Sequence, residues 1–135
     1  MASGCYNIFK GGLMAGQYSL TVDTTKCILM NTVHAFTNTH TVYNSVTTNE
    51  LTSAGGYLTG GVVLASLAIV NSGTSTWDAA DVSWTSSTFS AAHAVLFDST
   101  TGNSLICSID FGGAKEVSAG TFSLVWNGTG IITVA

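Results

Sequence analysis

Ser104-Leu-Ile-Cys-Ser-Ile-Asp-Phe111 and Gly120-Thr-Phe-Ser-Leu-Val-Trp126 alternate apolar and polar residues with hardly a break. A period of two marks strands with one face buried. It places Leu105, Cys107, Ile109 and Phe111 on one face, and Ser108 and Asp110 beside Ile106 on the other. Phe122, Leu124 and Trp126 repeat the arrangement against Thr121, Ser123 and Val125. Asn127-Gly128 supplies residues that tolerate positive φ in a tight hairpin turn, and Gly130-Ile-Ile-Thr-Val134 reads as the returning strand. A closing β-meander is the expectation.

Upstream of it, Phe89-Ser-Ala-Ala-His-Ala-Val-Leu-Phe97 is apolar on both faces, as a central strand must be. Val82 and Trp84 share one face of the stretch before it. Val62-Val-Leu-Ala-Ser-Leu-Ala-Ile-Val70 has β-branched ends and flanking Gly pairs, and is expected to be a strand buried on both faces. Gln17 to Val22 and Lys26 to Met30 read as strand, turn, strand, with Asp23-Thr24-Thr25 as the turn. His34 to Tyr43 is a polar, Thr-rich loop. Asn44 to Leu51 has room for one or two helical turns capped by Asn44 or Ser45.

The start of the chain has a different period. Tyr6, Phe9 and Leu13, with Ile8 and Met14 alongside, form a helical stripe, and Gly16 fits a C-cap. Gly11 and Gly12 each weaken such a helix by about 1 kcal/mol, so it needs a surface to dock on. The expected class is mainly β. It is an antiparallel β-sandwich, jelly-roll or Ig-like, with a short N-terminal helix and a second short helix near 44–51. The expected organisation is a helical arm over 1–16 and one sandwich domain over 17–135.

Composition narrows the partners. Charged residues are 7% of the 135, with no Pro and three cations, Lys10, Lys26 and Lys115. Without Arg, and with a formal net charge of −4, nucleic acid is not an expected partner. Residues 1–16 lack the cationic start and long apolar core of an export signal, and 62–70 is too short to span a bilayer. No membrane association is expected. Cys5, Cys27 and Cys107 form neither a CxxC nor a His-Cys cluster, so they read as free thiols of a reducing cytoplasm. The sequon Asn127-Gly128-Thr129 is explained equally by the turn.

Chemistry is sparsely represented. His34 and His40 share the polar loop without acidic or Cys neighbours, so solvated side chains are expected there. His93, mid-strand, reads as a core or interface histidine. Asp78, Asp81, Asp98 and Asp110 read as turn and strand-exterior residues rather than a carboxylate pair or cation site. No catalytic residue, metal ligand or cofactor is assigned, and an enzyme is not expected. Tyr43, Tyr57 and Trp77 lie near loops, where a glycan platform competes with an interface anchor.

The order of short motifs is similar to that of small structural proteins of tailed bacteriophages. The matching stretches are Tyr6-Asn-x-Phe-Lys10 with Leu13 and Gly16, Asp23-Thr-x-Lys26 running into Ile28-Leu-Met30, and Thr48-Asn-Glu-Leu51. Gly55-Gly-Tyr57 with Gly60-Gly61, His93-Ala-Val-Leu-Phe97 and Leu105-Ile106 continue the series. Ile109-Asp-Phe-Gly112, Phe122-x-Leu-x-Trp126 and Gly130-Ile131 complete it. His93 departs from the pattern, which often has a larger polar or aromatic residue there. The resemblance implies a virion component, a capsid decoration (cement) protein made in the host bacterial cytoplasm. Its implied partners are the major capsid protein and itself, as a homotrimer or another homo-oligomer. Tyr6, Phe9, Leu13, Phe36 and Tyr43 are the expected contacts. The rival reading is a tail, fibre or adhesin module binding host glycan through Tyr43, Tyr57 and Trp77.

Overall fold

The computed structural model describes residues 3–128 and 130–134. In chain order these form β1 (Gly4–Cys5), α1 (Asn7–Met14), β2 (Thr25–Met30) and 3₁₀ turns at Tyr43–Ser45 and Thr47–Asn49. There follow β3 (Val62–Val63), β4 (Ala68–Ser72), β5 (Thr74–Asp78), β6 (Val82–Asp98), β7 (Ser104–Leu124) and β8 (Ile132–Val134). The fold is mainly β, with antiparallel sheets and, among the described residues, one α-helix. One sheet has the order β1-β7-β6-β2-β3 and the other β4-β5-β8.

The long hairpin of β6 and β7 is the frame. As expected, β6 is central, with Ala91 to Asp98 buried between β7 and β2. The stretches 104–111 and 120–124 are not separate strands but parts of β7, interrupted by bulges, and Val125 and Trp126 lie beyond its end. Between the pairs Ala91–Lys115 and His93–Asp110, β7 carries three extra residues, accommodated by Gly112 and Gly113 at positive φ. A second bulge places Ile106 between the pairs Leu96–Cys107 and Phe97–Leu105. It breaks the expected alternation, so Leu105 packs with Phe97 and Val95 while Ile106 and Cys107 join the opposite cluster.

Both faces of the larger sheet are covered. One carries Cys27, Leu29, Leu96, Trp84 and Phe122 with Phe9, Tyr57 and Trp77. The other carries Ile28, Met30, Val95 and Phe97 with Tyr6 and Val46, beneath the 31–49 segment. Each such large apolar side chain stabilises the fold by about 1.5–3 kcal/mol through burial.

Four other expectations are corrected. Residues 17–22 form no strand but an irregular stretch ending in a turn: the Asp23 carboxylate accepts the Ser19 N–H at 2.9 Å, and Asp23 N–H bonds Ser19 O at 2.7 Å. The 62–70 run is split by Ser66 at φ 55° into β3 and an exposed β4, because the chain crosses there between sheets. The 44–51 segment does form two short helical turns, but they are of 3₁₀ type and lack the side-chain cap expected from Asn44 or Ser45. Finally, β8 pairs with β5 and not with β7, so Asn127 and Gly128 do not close a hairpin, although Gly130 N–H bonds Asn127 O at 2.8 Å. Thr129 lies outside the described residues.

The helix behaves as its stripe requires. Phe9 docks on the chain's own sheet, its ring 5.2 Å from that of Tyr18. Gly16, at φ 70°, follows the C-cap Ala15, and the N–H groups of Gly16 and Gln17 close on Leu13 O and Gly12 O.

Candidate functional site

Tyr6 and Phe9, expected to meet a partner, belong instead to this chain's own core. Tyr6 is fully buried against Phe36, its N–H bonded to Ile106 O, and Phe9 is 1% exposed. The helical stripe is apolar because it docks on the adjacent sheet. Phe36 is half-buried as the lid over Tyr6, and Tyr43 is stacked on Phe97 at 4.6 Å. Of the five, Leu13 alone is classed as exposed. The expected glycan platform is corrected too. Tyr57 and Trp77 are buried, the indole Nε1 of Trp77 donating to Leu20 O at 2.9 Å. Their rings have no face to offer a sugar.

Two buried polar clusters were hidden in the sequence. Glu50 lies within the fold and accepts hydrogen bonds from the hydroxyls of Tyr43 and Tyr57 (2.6 Å) and from Gly60 N–H (2.7 Å). Tyr57 also accepts the N–H of Leu29, at 3.1 Å. Burial, then the hydrogen bonds to Glu50, push both phenols well above their ordinary range. Here the carboxylate ties the 43–60 segment to β2.

The second cluster corrects the expectation for His34, which is buried rather than solvated. Its Nε2 is 3.1 Å from Ser108 Oγ, and its ring stands edge-on to His93. His93 Nδ1 is 3.8 Å from Asp110 Oδ1, whose carboxyl is held below its usual range chiefly by the Gly112 N–H. Burial depresses both histidines, His34 to about 4. These are neutral imidazoles that latch the loop onto β6 and β7.

One outward face is largely apolar, and no charged side chain lines it. A cleft of about 160 Å³ opens between α1 and the three-stranded sheet. Phe9 and Trp77 form its floor, and Leu13, Ile69 and Val134 its rim, at 37%, 46% and 56% exposure. Met14, the next residue of α1, is exposed as well. Beside it β4 is an edge strand, exposed at all five residues, with neither Lys nor Pro to guard it. An unguarded edge of this kind is in general a template for strand addition.

Among the described residues no cluster of three or more His, Cys, Asp or Glu could hold a metal, and no helix is long and apolar enough to cross a membrane. Comparison with protein-family models, with curated proteins and with solved structures finds no match to this chain.

Proposed function

We propose that this chain is a structural protein of a tailed-phage virion, a decoration protein that seats on the assembled shell and bridges neighbouring subunits of the major capsid protein. The observation that carries the reading is the uncharged surface where the Leu13–Ile69–Val134 rim meets the unguarded β4 edge. A surface so poor in charge has few ions to desolvate when it is covered, so permanent contact costs little. Binding only the folded, assembled state, the protein stabilises the shell by mass action. Self-association as a homotrimer, burying on the order of 800 Å² per partner, belongs to the same reading.

The two sheets are taken as layers of a sandwich of the jelly-roll or Ig-like kind. Support comes from a single apolar cluster that holds Trp77 of one sheet together with Leu29 and Leu96 of the other. Synthesis in a bacterial cytoplasm is supported by three free cysteines, of which Cys27 and Cys107 are buried. With Tyr57 and Trp77 inside the core, no observation favours the glycan-binding alternative.

Cryo-EM of the intact particle tests the proposal. Density for this chain repeated over the shell is expected. Density confined to the tail, or none, overturns it.

A further inference from the structure

Where β6 turns toward β7, two carboxylates from distant parts of the chain meet. Asp98 is fully buried. Its Oδ1 accepts the N–H groups of Thr100 (2.9 Å) and Thr101 (3.0 Å), while Oδ2, also out of solvent, meets no N–H or hydroxyl donor and faces only the carboxyl of Asp23. Asp23 closes the turn before β2. Its Oδ2 accepts from Ser19 N–H (2.9 Å) and from Thr101 Oγ1 (3.3 Å), and its carboxylate lies within hydrogen-bonding reach of Asp98. Two carboxylates at that separation cannot both carry charge unscreened: either they share a proton or a cation lies between them. Among the described residues, no ion pair reaches either one.

An observation independent of the acids points to the same place. Thr25 is the direct cross-strand partner of Asp98, so the two side chains share one face of the sheet, side by side. Thr25 is fully buried, and its Oγ1 has no partner either. A buried hydroxyl left unpaired is destabilising, and native folds rarely leave two such oxygens together without an occupant. Lys26 is no counter-ion, because it pairs with Phe97 on the other face. The donors are all oxygen, from carboxylate and hydroxyl, a set suited to a hard cation rather than to zinc or copper.

We propose that Asp23, Asp98 and Thr25 form a site for a divalent cation of the calcium class, which fastens the 19–25 segment to the β6–β7 turn. Ca²⁺ takes six to eight oxygens, so water completes its shell. The site is independent of what the outer surface binds.

Calorimetric titration of the EDTA-stripped full chain with CaCl₂ at neutral pH, paired with thermal melts, tests it. Saturable binding and a raised melting temperature are expected, with a smaller response to MgCl₂. Asp23→Asn and Thr25→Val are expected to weaken binding by about tenfold or more. Thr25→Ser, which keeps the oxygen, and Asp110→Asn, which lies elsewhere, should bind as the parent does. If the parent neither binds Ca²⁺ nor gains thermal stability from it, a proton shared by Asp23 and Asp98, with buried water, satisfies the oxygens and the proposal is overturned. Equal binding by Asp23→Asn and Thr25→Val overturns it too, even if Asp98→Asn does not fold.

Discussion

The His34 ring stands edge-on to His93, centroid to centroid 5.0 Å and interplanar angle 69°, joining the 31–42 loop to the middle of β6. From β7, Ser108 faces His34 and Asp110 faces His93; His40 approaches from the loop itself. Removal from water, followed by the neighbouring histidines, lowers the His34 pKa from 6.5 to about 4.

That depression has a signed consequence. The unfolded chain binds a proton at His34 below about pH 6.5, whereas the folded chain does so only near pH 4. Stability contributed by neutral His34 is therefore present above pH 6.5 and is lost as pH falls toward 4. The loss should be on the order of 2 kcal/mol after allowing for solvent screening at the loop. Urea melts of the parent and of His34→Gln measure it. The variant should lose this part of the slope, and an unchanged slope would sink the assignment.

Asp98 works in the opposite direction. Burial, then the neighbouring Asp23, push its pKa up from 3.8 to about 6. Its contribution is thus present below pH 3.8 and lost as pH rises through 6. In EDTA, Asp98→Asn mimics the protonated form and should be relatively more stable at pH 7.5 than at pH 4.5. The two groups titrate over overlapping windows with opposite sign, so the parent profile should be flatter than that of either variant.

Glu50 offers a test of buried pairing. Glu50→Gln replaces one acceptor oxygen by an NH₂ group facing a hydroxyl donor, Tyr43 or Tyr57. The mismatch should cost about 1–3 kcal/mol. A lower urea midpoint with unchanged denaturant dependence is the expected result.

Gly12→Ala separates helix propensity from packing. In an exposed helix the change would stabilise by about 1 kcal/mol. Here a Cβ would run into the Tyr18 ring, whose hydroxyl is anchored 2.6 Å from Ser104 Oγ and so has little freedom to retreat. The melting temperature should fall; a rise would show that Tyr18 can move aside.

Much of the fold was legible where local pattern and tertiary burial agree. Val82, Trp84 and Phe89 to Phe97 carry their β6 character openly, and Tyr6, Phe9 and Gly16 carry the helix. The failures have physical causes. Ile106 is apolar like its neighbours, so nothing local marks the bulge that moves it to the other face. Gly112 and Gly113 allow the bulge in β7, but nothing near them in sequence shows that pairing with β6 resumes at Lys115. His34 looked solvated because Ser108 and His93, which bury it, are far off in sequence. The 62–70 run looked buried because apolar content was equated with interior position, whereas β4 is an apolar edge left in the open.

The cleft and edge can be tested without disturbing the core. Ile69 and Leu13 stand on the rim, about half-buried, so Ile69→Lys and Leu13→Asp give up part of that burial and should each cost about 1–2 kcal/mol, less than a core truncation. Each places a charge where a partner's apolar segment would have to desolvate it, and Lys on an edge strand opposes strand addition. Co-sedimentation with decoration-free shells should therefore show each variant folded but weakened at least about tenfold in shell binding, with the double variant weaker still. Trp77→Ala is the contrasting case: it removes the cleft floor and leaves Leu20 O unpaired, and should unfold the chain by about 3–5 kcal/mol. If Ile69→Lys and Leu13→Asp bind shells as the parent does, the contact surface lies elsewhere on the molecule.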